Sequence, residues 1–116
     1  MNGLVRRHGL LQGQGLDLGP YSTRYPPGDR TMVRVLSDRA ADRPDKDWIV
    51  FDSRDRLTFG GAWAEACRAG HAFDRDLAPG AHVGLLMRNQ PEFLISFYGT
   101  LVRGGMAVPL SPVRVG

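Results

Sequence analysis

Arg88-Asn89-Gln90 is the stretch of this sequence best placed for chemistry. A guanidinium and two amides directly follow Val83-Gly84-Leu85-Leu86-Met87, a nearly unbroken apolar run of strand length. Ligands of open α/β sheets gather outside the carboxyl ends of the strands, so this trio could hold an anionic or amide-bearing group there. Asn89 also stands three residues before Glu92, a spacing at which Asn accepts from the N3 amide and Glu returns toward the cap, with Pro91 tolerated in the first turn. Asn89 is therefore expected to cap a helix rather than touch a ligand.

The other reactive types read as structure. Gly13-Gln14-Gly15 has the start of a dinucleotide loop, but no strand precedes it and position 18 is Leu18 rather than glycine, so the context that motif needs is missing. Cys67 falls on the apolar face of a helix, where a free thiol packs as a small hydrophobe, and no base is spaced to activate it. His8, His71 and His82 show no i,i+4 pairing and no acidic partners in a ligand pattern. Trp63 and Phe97 are expected in the core. The chain thus nominates no catalytic group, no cofactor-binding residue and no metal ligand.

The elements that position these residues follow from periodicity. Glycines and Tyr25-Pro26-Pro27-Gly28-Asp29 give residues 1–30 neither helical nor strand pattern, so they read as an extended arm. Thr31 is an N-cap candidate, and Met32, Val35, Leu36 and Ala40 recur at helical spacing until Arg43-Pro44 stops the run. Trp48-Ile49-Val50-Phe51 and Leu57-Thr58-Phe59, separated by a polar turn, predict a small hairpin. From Gly60 to Phe73 the positions Ala62, Trp63, Ala66, Cys67, Gly70 and Phe73 share one helical face. Val83–Met87 is expected to be a central strand covered on both faces. Phe93, Leu94, Phe97, Tyr98, Leu101 and Val102 then give a third helix a broad apolar stripe, and Gly104-Gly105 supplies its left-handed end. Met106–Leu110 is a further buried strand. Strand, helix, strand in this order is a parallel βαβ unit with a right-handed crossover, so the fold class is α/β. The last strand has no helix after it, which predicts an incomplete sheet with open apolar surface, as in a cut sequence.

Bulk properties narrow the class. The 116 residues are 42% hydrophobic and 23% charged, as in ordinary globular domains. The formal charge of +3 comes from arginines scattered along the chain, with Lys46 the only lysine, and Arg54 and Arg56 alternate with Asp52 and Asp55. Scatter of this kind argues against a nucleic-acid partner. Cys67 is the only cysteine, which excludes an intrachain disulfide and favours a reducing, cytoplasmic setting. The first residues lack the apolar run of about seven that a secretory leader needs, and no stretch approaches the ~20 apolar residues of a membrane span.

Four islands between Thr31 and Pro112 carry a resemblance. They are Arg43-Pro44-Asp45, Leu57-Thr58-Phe59, Arg88-Asn89-Gln90-Pro91-Glu92-Phe93, and Gly104-Gly105-Met106-Ala107-Val108-Pro109-Leu110-Ser111-Pro112. In order and spacing the chain resembles the start of the adenylate-forming superfamily, and most of all its fatty and aryl acyl-CoA ligases. It departs from the family at Gly61 and Ala62, where an acidic residue and a leucine are usual; losing the capping box and placing Gly in a helix should each cost about 1 kcal/mol. Ala81 replaces a common aspartate, and Ser111 a common asparagine.

The resemblance implies that residues 31–116 are part of the large N-terminal adenylation domain. It implies a two-step reaction in which a carboxylate and ATP give an acyl-adenylate and pyrophosphate, and a thiol, usually that of CoA, then takes the acyl group. ATP, Mg²⁺ and CoA are the family's requirements, and its phosphate loop, nucleotide-binding residues and catalytic lysine fall outside this chain. The chain alone is therefore expected to be inactive and to bind none of them. Its partners would be the rest of the adenylation domain, the C-terminal domain and a carboxylic acid substrate. The alternative is an interaction module without catalysis, pairing its open sheet with another protein.

Overall fold

The computed structural model of the chain describes residues 25–52 and 54–113. The chain divides into two units, residues 1–30 and 31–116. The arm expected over the first unit lies outside the described residues as far as residue 24. Its remainder holds a 3-10 turn at Pro27–Asp29, and Arg30 Nε donates to the Tyr25 carbonyl at 2.8 Å.

The second unit opens with α1, Met32–Asp42, capped as expected by Thr31, whose Oγ1 accepts from the Arg34 amide at 3.1 Å. Only Leu36 and Ala40, one turn apart, are buried, whereas Met32 and Val35 from the same expected stripe are 49% and 38% exposed. The Leu36 line alone meets the core, so the covered face is narrower than the apolar pattern. The helix stops before Pro44, which disfavours helical geometry in the residue preceding it.

Strands β1, Asp47–Phe51, and β2, Asp55–Thr58, form the expected antiparallel hairpin. The turn between them holds Asp52 at φ 47°, a left-handed conformation that Asp tolerates. Asp47 pairs with Thr58 but Ile49 pairs with Leu57, so the register slips by one residue at Trp48. The Trp48 ring stacks on Phe59 at 5.9 Å and meets Tyr98 edge-on at 5.4 Å. Phe59 is not in the strand, as the sequence pattern had placed it, but begins α2, Phe59–Phe73. Thr58 makes that switch by capping: its Oγ1 accepts from Gly61 at 3.0 Å.

Two of the sequence islands meet here. Phe59 N–H donates to the Lys46 carbonyl at 3.1 Å and Gly60 N–H to the Pro44 carbonyl at 2.9 Å. A Cβ on Gly60 would lie 2.9 Å from that same Pro44 oxygen, so the contact requires glycine.

Strands β3, His82–Leu86, and β4, Met106–Leu110, run parallel and are joined by α3, Pro91–Val102. The βαβ unit is as the pattern required. The α3 helix ends in a Schellman arrangement. Gly104, at φ 89°, donates to Leu101, and Gly105 donates to Thr100. Met106 donates to Ala81 on the β3 side, so strand alternation turns the Pro109 nitrogen to the unpaired edge of β4, where its missing donor costs no ladder bond.

The core lies between the helices. Leu36, Ala62, Ala66 and Tyr98 are its buried centre, with Trp48, Trp63, Leu94 and Phe97 packed against it. Burial pushes the Tyr98 phenol up from its ordinary value. The most enclosed part of α3 is Tyr98-Gly99-Thr100, and the Thr100 hydroxyl is satisfied by the Ser96 carbonyl at 2.8 Å. At the far end of α3, Arg103 Nε stands 2.7 Å from Asp74 Oδ1, outside hydrogen-bond angles but within ion-pair range.

The expected covering of β3 on both faces is not found. Leu85 alone is buried, while Leu86 is 64% exposed, beside Met106 at 56% and Leu110 at 50%. The described sheet has two strands with its helical cover on one side, so the outward half of each apolar strand is bare, as an incomplete sheet implies.

Candidate functional site

Parallel pairing brings the two remaining islands together. Leu86 is in register with Leu110, so the segments that leave β3 and β4 emerge side by side at the carboxyl edge. Between them lies an open cavity of about 440 Å³, walled by Met87, Arg88, Asn89 and Phe93 on one side and by residues 109–113 on the other. The Ser111 hydroxyl accepts from the Val113 amide at 3.2 Å, which folds the second wall back on itself.

The first wall differs from the expected one in its cap. Gln90, not Asn89, is the N-cap of α3, with extended backbone at φ −154°, ψ 164° and no side-chain capping bond. Pro91 thus occupies the first helical position, where its fixed φ suits the helix and its missing N–H costs nothing. This register shifts Glu92 from the third position to the second and removes the capping-box geometry. Asn89 is left on the cavity wall beside Arg88, both exposed.

The lining defines what the cavity can do. Arg88 offers a planar donor fork suited to carboxylate or phosphate, and Asn89 offers both donor and acceptor. Met87, Phe93 and Leu110 give the two walls apolar surface. None of the described lining residues is a carboxylate, histidine, cysteine or lysine. Among the described lining residues Ser111 has no base to activate it.

The other residues weighed from sequence do not join this site. Cys67 is half-buried on α2, His71 is exposed beside Asp74 and Arg75 at the end of that helix, and His82 lies exposed on β3. Trp63 and Phe97 pack against the core as expected. Gly13, Gln14, Gly15 and His8 lie outside the described residues. Among the described residues no group of three or more His, Cys, Asp or Glu side chains could hold a metal ion, and no helix is long and apolar enough to cross a membrane.

A parallel βαβ unit beside a small hairpin, with an open cavity at the strands' carboxyl ends, is an α/β architecture. The chain belongs to the AMP-binding enzymes, whose family model matches residues 36–113. It is 34% identical over 89 residues to a long-chain-fatty-acid–CoA ligase of Bacillus subtilis, covering 76% of this chain and 16% of that protein. It is 30% identical over 99 residues to a long-chain-fatty-acid–AMP ligase of Mycobacterium tuberculosis, covering 78% of this chain and 17% of that one. The solved fatty acyl CoA synthetase of M. tuberculosis superposes with a TM-score of 0.62 at 35% identity, over 67% of this chain and 16% of that chain. The chain therefore spans less than a fifth of the length of these relatives. Its fold is that of the opening part of an adenylate-forming enzyme's large N-terminal domain.

Proposed function

We propose that this chain is the N-terminal portion of an AMP-forming fatty-acid ligase, in which it builds scaffold and one wall of the ligand cleft while the bond-making groups lie elsewhere. The observation that carries the reading is the coincidence of the family match over residues 36–113 with a cavity at the carboxyl ends of β3 and β4. On this reading residues 31–116 are part of the adenylation domain and residues 1–30 precede it as an arm. The protein works in the cytoplasm, with the rest of that domain and the C-terminal domain as its structural partners.

In the reaction so assigned, a fatty-acid carboxylate oxygen attacks the α-phosphorus of ATP, forming an acyl-adenylate and expelling pyrophosphate. A thiol such as that of CoA then attacks the acyl carbon, and AMP leaves. Both steps concentrate negative charge and need positioned donors. Arg88 and Asn89 contribute by holding an anionic part of a substrate at the cavity. The described lining residues do not fit a magnesium ion, because they present a guanidinium and no carboxylate.

The test is fatty-acid-dependent ATP–pyrophosphate exchange, measured on the complete polypeptide that carries this chain and on the 116-residue chain alone. Exchange by the complete protein and none by the chain alone is the expected result. Exchange by neither, across short, long and aryl acids, would overturn the assignment.

A further inference from the structure

We draw no further inference here: the strongest candidate, the bare apolar outer face of the β3–β4 sheet carrying Leu86, Met106, Val108 and Leu110, has nothing in the structure to show what covers it.

Discussion

Gly70 and Gly99 meet backbone to backbone where α2 crosses α3. A Cβ on Gly70 would lie 2.9 Å from the Gly99 carbonyl oxygen, and a Cβ on Gly99 would lie 3.1 Å from the Gly70 nitrogen and 2.7 Å from the Ala69 Cβ. Gly99→Ala gains about 1 kcal/mol of helix propensity, yet the methyl has no room, and overpacking of this kind costs about 1–3 kcal/mol. The expected outcome is a lower urea midpoint for Gly99→Ala. Ala69→Gly should restore part of it non-additively, because it removes the nearest obstruction. A Gly99→Ala variant more stable than the parent would show that the helices cross with more space than this.

Thr58 and Asn89 make opposite predictions for the same substitution. Thr58→Ala removes a capping bond seen at 3.0 Å and should lower stability by about 1 kcal/mol. Asn89→Ala removes no cap and should stay within about 0.5 kcal/mol of the parent. Equal losses in chemical denaturation would return Asn89 to the capping role that its spacing suggests.

Gly104 holds φ at 89° to close both Schellman bonds. Gly104→Ala forces a side chain into that conformation and should cost roughly 1–3 kcal/mol, with Gly104→Asn costing less because Asn tolerates left-handed geometry. Thermal melts of the two variants side by side would check the ranking, and it fails if Asn is the worse of the two.

Tyr98 links stability to alkaline pH. Burial raises its pKa in the folded chain above the unfolded value. Its contribution is therefore fully present below the unfolded tyrosine pKa, where both states are neutral. It is lost as pH rises through the folded value, because the unfolded chain gives up the proton first. Tyr98→Phe should flatten the fall in urea midpoint above about pH 10. An unchanged alkaline slope would mean that other groups set it.

Much of this architecture was legible because local patterns agreed with their surroundings. Thr31 caps as its position suggests, and Gly104 ends α3 in the left-handed turn its type favours. What was not legible depended on partners distant in sequence. Val35 has the right period for a core residue yet is exposed, and Leu86 looks like a central-strand residue yet faces outward from a described sheet covered on one side. Gly99 and Thr100, among the most enclosed residues of α3, carry no apolar signal, since a glycine at a helix crossing is read only once its neighbour is known. At the candidate site the sequence brought Arg88 and Asn89 to the correct end of β3 but assigned Asn89 the wrong task. Pro91 fixed the start of α3 one residue later than Asn-x-x-Glu spacing implied. Ser111 and Pro112 were known only as part of an island, and it is the Leu86–Leu110 register that places them opposite Arg88.

The most direct test of the central claim is a chimera in which residues 36–113 replace the matching segment of the B. subtilis long-chain-fatty-acid–CoA ligase. If this segment is scaffold and cleft wall of an AMP-forming fatty-acid ligase, the chimera will retain ATP–pyrophosphate exchange that depends on added fatty acid. Adding Arg88→Ala should then raise the KM for a substrate while leaving the melting temperature in place. A chimera that folds and melts like its parent but shows no exchange would contradict the claim.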